Sequence, residues 1–246
     1  MHSQPYPALY APKDGYVFVV TYGRSGSTLT QKLLNAIPGY QIRGENGNAL
    51  YHLARAAVVT SKWDNFVWRR EDLHKAKSEQ KSFIRDIIGT SSDPWYGAEL
   101  VDPDAVSKSL ADNFVSQILR PDETVRVSGF KEIRWHEDRA FFPNFLDYIK
   151  NTFPNSKFLF QTRMADDVAK SAWWKNRKHE DVMTMISNAE KMYADFSAEN
   201  PDISFTVKYE RYAEGPSYVQ EIFDFLGEKV DEDVIAQILG SKLKHS

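Results

Sequence analysis

Residues 16–21, YVFVVT, form an unbroken run of β-branched and aromatic side chains, the pattern of a strand buried on both faces. The run stops at Tyr22-Gly23, and from Ser27 the period changes. Leu29, Leu33, Leu34 and Ile37 recur at helical spacing, which predicts an amphipathic helix. PGYQIRGENGN, rich in Gly and Asn, is expected to be a turn-rich connection, with a helix over 48–60. Residues 61–120 are charged, rich in Trp and predicted mostly helical, with breaks at SSDP and DPD. VRVSGF (125–130), KFLFQT (157–162) and ISFTVKY (203–209) are predicted strands. Between them fall a helix in EDRAFFPNFLDYIKNTF that Pro143 is placed to interrupt, one helix over ADDVAKSAWWK, and a longer one over 180–199. SYVQEIFDFLG and DEDVIAQILG are predicted to close the chain as two helices.

Short apolar strands separated by helices predict an α/β fold, a parallel sheet flanked by helices. No internal repeat or low-complexity tract divides the chain, so residues 1–246 are expected to form one domain. In such sheets ligands sit beyond the carboxyl ends of the strands. Side chains just after residues 21, 130, 162 and 208 should therefore converge.

Composition narrows this only slightly. A content of 42% hydrophobic and 26% charged residues is ordinary for a soluble globular chain. The net charge of −3 argues against broad nucleic-acid binding but leaves room for a local basic pocket. The absence of cysteine removes disulfides, thiolate metal sites and cysteine nucleophiles, and suits a reducing compartment. MHSQPYPALYAPKDG lacks a basic segment followed by an apolar one, and no apolar run approaches the roughly 20 residues that span a bilayer. A soluble, cytoplasmic protein is the expectation.

The loop GRSGST carries the first candidate chemistry. Gly23 and Gly26 allow a tight turn and close approach to an anion. The amides around Gly26, Ser27 and Thr28 would point out of the positive end of the helix. Ser25, Ser27 and Thr28 add hydroxyls, and Arg24 adds a guanidinium fork. The alternative is a plain tight turn with Ser27 as N-cap. A nucleotide-hydrolase loop has Lys where Ser27 stands, and no obvious acidic strand end is placed for Mg²⁺, which together count against such an enzyme.

A second anion site is suggested by FPNSKFLFQTRMADDVAKSAWW. Arg163 sits at a strand end, and Ser171 follows eight residues later, on the next predicted helix. The two can meet on one anion. Alternatively, Arg163 pairs with Asp166 or Asp167 and Ser171 is solvated.

In this order and spacing the two motifs resemble the sulfotransferases that use 3′-phosphoadenosine-5′-phosphosulfate. GFKEIRW resembles that family's central strand and following loop, and FTVKYERYAEGPSYVQEIFDFLGEKVDEDVI its C-terminal segment. The resemblance implies a P-loop-like sheet whose first loop binds the 5′-phosphosulfate, with Arg24 on the 5′-phosphate. It also implies Arg163 and Ser171 on the 3′-phosphate, Tyr209 against the nucleotide, and no metal. Tyr209 could equally be a rim aromatic. No segment resembles the RKGxxGDWK cover of the cytosolic small-molecule members, so the resemblance leans to the bacterial and the tyrosylprotein or carbohydrate branches.

Sulfuryl transfer to a hydroxyl calls for a general base and for stabilisation of charge on the transferring group. The resemblance implies Glu45, in the dipeptide Gly44-Glu45, as the base. The alternatives are an exposed turn carboxylate or a partner for Arg43. His136, and behind it His52, are the competing bases. Lys131 is implied as donor to the sulfonate or bridging oxygen; its alternative is a pair with Glu132, weakened because adjacent strand residues face opposite ways. Residues 61–120 would be a helical insertion over the acceptor cleft, where Trp63, Trp68 and Trp95 stack on an acceptor or fill a core. The acceptor is expected to be a small molecule or glycan. A small-molecule kinase with a degenerate loop, and a non-catalytic nucleotide-binding module, are the competing functions.

Overall fold

A computed structural model describes residues 4–241; the first three residues of the N-terminal stretch considered above lie outside them. Five strands form one parallel sheet: β1 (Gly15–Val20), β2 (Tyr40–Arg43), β3 (Val127–Glu132), β4 (Ser156–Thr162) and β5 (Ser204–Lys208). Their order is β2-β3-β1-β4-β5. β1 therefore sits at the centre, and the chain winds to one side of it before crossing to the other. The crevice beyond the carboxyl ends of β1, β3 and β4 is the ligand position in such a topology.

Helices cover both faces: α1 (Ser27–Leu34), α2 (Ala49–Lys62), α3 (Asp64–Leu73), α4 (Pro103–Phe114), α5 (Phe142–Thr152), α6 (Ala165–Ala169), α7 (His179–Glu199), α8 (Pro216–Leu226) and α9 (Glu232–Gly240). Alternation along β1 divides the core. Tyr16, Phe18 and Val20 pack with Ala54, Phe114, Phe145, Ile149 and Tyr193 of α2, α4, α5 and α7. Val17 and Val19 pack with Leu29 and Leu33 of α1 and with Val219 and Ile222 of α8. A strand covered on both faces has no polar side to show, hence its unbroken apolar run. Gly129 lets β3 lie close to β1: a Cβ there would meet the Val17 carbonyl oxygen at 1.8 Å.

Several expectations are corrected. β2 lies inside the stretch expected to be a turn-rich connection. It is a four-residue edge strand between Gly39 and Gly44, with Tyr40 and Ile42 buried and Arg43 exposed. Pro143 does not interrupt α5; it occupies its first turn, where no amide is needed. Within 61–120, residues 75–97 are a chain of turns rather than helix. A buried ion pair holds them, Arg69 to Asp93 at 2.6 Å. The predicted helix over 165–175 is broken. α6 ends at Ala169, Ser171 is extended (φ −97, ψ 135), and a tight 3₁₀ segment covers Ala172–Asn176.

Candidate functional site

The loop after β1 turns into α1 through Gly26, which is the N-cap residue at φ 83 and offers no side-chain cap. Ser27 is thus not the cap, and no side chain satisfies the first amides of α1. Uncapped helix amides with the positive end of the helix behind them suit an anion. The loop is bolted down from beneath. Ser25 is fully buried, its Oγ 2.7 Å from Thr21 Oγ1. Gln161 of β4 donates to the Ser25 carbonyl at 2.9 Å, and the Thr30 hydroxyl bonds both Gln161 and Tyr212. Ser25 therefore faces the sheet, Ser27 is nearly buried, and Thr28 is exposed at the lip of a cavity of about 600 Å³ that Gln31, Lys32 and Gln237 also line.

The two anion motifs form one cluster. Arg24, held at φ 70, donates from Nε to Ser171 Oγ at 2.8 Å. Arg163 Nη1 donates to the Arg24 carbonyl at 3.1 Å. The Arg163 guanidinium lies 4.6 Å from the centre of the Tyr209 ring. That ring packs on Gly26 so closely that a Cβ there would sit 2.1 Å from it. Arg163 Nε is buried and without a partner. Asp166 faces His179 at 3.4 Å instead of Arg163. The helix break turns Ser171 towards Arg24, and it is anchored by Trp174, whose indole N–H donates to the Gly23 carbonyl at 3.0 Å.

A second group adjoins the first. Tyr22 and Arg134 form an isolated antiparallel bridge, which draws the segment after β3 against the loop after β1. Lys131 pairs in register with Val19 and so lies on the α1 side of the sheet. It is 7% exposed, and its Nζ donates to Glu45 Oε1 at 2.7 Å. Glu45 Oε2 lies 3.6 Å from Arg134 Nη1. Glu45 is not Arg43's partner: Arg43 donates to the Leu119 and Arg120 carbonyls at the end of a helical turn. Nor does Lys131 pair with Glu132.

His136 is not brought to this group. It faces a cavity of about 320 Å³ lined by Arg139, Asp181, Thr184, Met185 and Asn188. Burial pushes its imidazole down to about 4. His52 is exposed on α2, edge-on to Tyr51.

Sequence patterns missed several residues that shape the site. The Tyr22 hydroxyl donates to Glu190 at 2.6 Å and accepts from the Arg163 backbone N–H at 2.9 Å. Gln161 and Glu132 are polar residues wholly buried at the carboxyl ends of β4 and β3. That polarity was the available signal, since such a residue needs partners.

Taken together, the sheet order, the uncapped helix end and the arginine that meets it from the next strand define a P-loop-like α/β protein. The family model described as "Sulfotransferase family" matches residues 16–232. The chain belongs to the sulfotransferase family, and so to the transferases. Among curated proteins none matches it. The solved structures that it resembles include these three. The sulfotransferase domain from the curacin biosynthetic pathway is 16% identical, with 88% of this chain and 75% of that one covered, at a TM-score of 0.49. Sulfotransferase STF9 from Mycobacterium avium is 10% identical, with 95% and 69% covered, at 0.48. Retinol dehydratase in complex with androsterone and inactive cofactor PAP is 17% identical, with 96% and 68% covered, at 0.40. Among the described residues no helix is long and apolar enough to cross a membrane.

Proposed function

We propose that the chain transfers a sulfuryl group from 3′-phosphoadenosine-5′-phosphosulfate to the hydroxyl of a carbohydrate, lipid or small metabolite. The observation that carries this is the cluster of Arg24, Arg163, Ser171 and Tyr209 at the uncapped end of α1. The buried, unpartnered Arg163 Nε is a donor awaiting an acceptor, and an anion there would satisfy it. The residues present thus fit a ligand with anionic groups at two places. Arg24 and the α1 amides would hold the 5′ end, Arg163 and Ser171 the 3′-phosphate, and Tyr209 would border the nucleotide.

When bound, the donor supplies an activated sulfur–oxygen bond. Glu45 takes the proton of the acceptor hydroxyl as its oxygen bonds to sulfur. The sulfur–oxygen bond to the 5′-phosphate breaks, and its electron pair leaves with adenosine 3′,5′-bisphosphate. Lys131 meets the charge growing on the bridging oxygen. Their 2.7 Å pairing sets the two groups side by side, where one can take the proton while the other faces the leaving oxygen. We take the chain as one catalytic unit, with residues 61–120 over the acceptor side and Trp63, half exposed, available to an acceptor.

Calorimetric titration tests the donor without needing the acceptor. Adenosine 3′,5′-bisphosphate should bind more tightly than adenosine 5′-monophosphate. Arg163→Ala should remove most of the difference, about 1.5–3 kcal/mol for a charge-assisted contact. Equal affinities in the unmutated protein would overturn the assignment.

A further inference from the structure

Glu132 ends β3, one residue beyond Lys131, and is wholly buried. An ionised carboxylate without water must find donors for its lone pairs within the protein. Glu132 finds four. Its Oε2 accepts from the backbone N–H groups of Asn46 at 3.1 Å and Asn48 at 2.8 Å. Its Oε1 accepts from the Ile133 N–H at 2.8 Å and from Arg134 Nη1 at 2.9 Å.

Three of these four donors bear on Glu45. Asn46 is its chain neighbour, and Asn48 is two residues further on, at the start of α2. Arg134, gripped by Glu132, also lies 3.6 Å from Glu45 Oε2. Lys131, adjacent to Glu132 but pointing to the other face, holds Glu45 Oε1. The end of β3 thus grips the loop after Glu45 with one side chain and Glu45 itself with the next.

The chemistry of the donors requires a carboxylate. A glutamine has one carbonyl oxygen, so its amide N–H₂ would face two of the four donors. The four donors therefore specify an ionised side chain at a position where neutral residues would be less costly to bury.

We infer that Glu132 is the positioning residue of Glu45. It acts through the backbone of residues 46–48 and through Arg134, without touching the reacting atoms. This rests on Glu45 as the base of the proposed sulfuryl transfer.

The test is a double-mutant cycle. Release of adenosine 3′,5′-bisphosphate from the phosphosulfate donor reports transfer to any acceptor, water included. Glu132→Gln should lower kcat by about 10²-fold, the scale expected when a reacting group shifts by an ångström. The donor KM and the calorimetric affinity for adenosine 3′,5′-bisphosphate should stay unchanged. In a Glu45→Gln background the same substitution should cause no further loss. A merely structural role would lower stability and turnover alike in both backgrounds. Arg134→Gln alters a partly exposed side chain and guards against Glu132→Gln failing to fold; it should lose about 10-fold with the same dependence on Glu45. Equal losses with and without Glu45, or unaltered kcat in a folded variant, would overturn the inference. Full turnover by Glu45→Gln would refute the base, and the inference with it. Absence of donor turnover and of bisphosphate binding in the unmutated protein would refute the donor.

Discussion

Replacing Gly26 by alanine should disturb the site from its most crowded point. The new Cβ would lie 2.1 Å from Tyr209 Cδ2. Ordinary carbon contacts are about 3.5–4.0 Å, so the ring must retreat by roughly 1.5 Å. Gly26 also sits at φ 83, where a Cβ costs about 1–2 kcal/mol. Withdrawal of the ring would remove it from the Arg163 guanidinium, 4.6 Å away, forfeiting about 0.5–1 kcal/mol. The total, about 2 kcal/mol, corresponds to a fall of roughly 4–8 °C in Tm for a chain of this size. Affinity for adenosine 3′,5′-bisphosphate should fall too, by the contacts the displaced Tyr209 ring no longer makes; the backbone strain is the same with and without ligand, and each 1.4 kcal/mol lost is a factor of ten. Thermal melts and calorimetry measure both. Tyr209→Ala supplies the control: without the ring, Gly26→Ala should cost only the backbone part. An identical cost with and without the Tyr209 ring would show that the contact does not govern the site.

Glu45→Gln should lower kcat by about 10²–10⁴-fold and leave nucleotide affinity nearly unchanged; near-normal turnover there, with loss in His136→Ala, would make the histidine the base. Transfer should persist in chelator, because the loop lacks the lysine of triphosphate-binding loops; a strict Mg²⁺ requirement would favour a kinase. Burial lowers the His136 imidazole to about 4 in the folded protein, so between the ordinary histidine value near 6.5 and about 4 the unfolded chain binds the extra proton. His136 should therefore cost stability as pH falls through that window, and His136→Asn should flatten the Tm profile between pH 7 and 5; an unaltered profile would refute the assignment.

Much of the fold was legible because β1 and the helix after it announce themselves by period. β2 was not, since four residues flanked by glycines carry little pattern, although Tyr-Gln-Ile-Arg does alternate. Pro143 is ambiguous in the sequence because the same residue breaks a helix interior and suits a first turn, and only the helix start distinguishes them. The break before Ser171 was hidden for a different reason. The Trp174 bond to Gly23 that helps anchor it joins residues 151 positions apart, beyond any local signal. The same holds at the site. Arg24, Arg163 and Ser171 are candidates from loop chemistry, strand-end placement and the family resemblance, but the direct bond between Arg24 and Ser171 cannot be read from the chain. Glu132 could be seen only as a neighbour of Lys131; that it grips the loop after Glu45 depends on a contact spanning 86 positions.

The Arg24–Ser171 bond would make the two ends of the proposed nucleotide site partners in one equilibrium. A ligand carrying anions at both ends binds as a chelate: once one end is held, the other meets its arginine at high effective concentration. Coupling of this kind is reciprocal, so each end strengthens the other by the same factor. A nucleotide that loses either phosphate forfeits both its own contact and the help it lent. If the proposed donor is right, a site built this way should sharply distinguish the intact bisphosphate from its monophosphate fragments. On the proposed function it would also slow the departing bisphosphate, placing product release among the steps able to limit turnover.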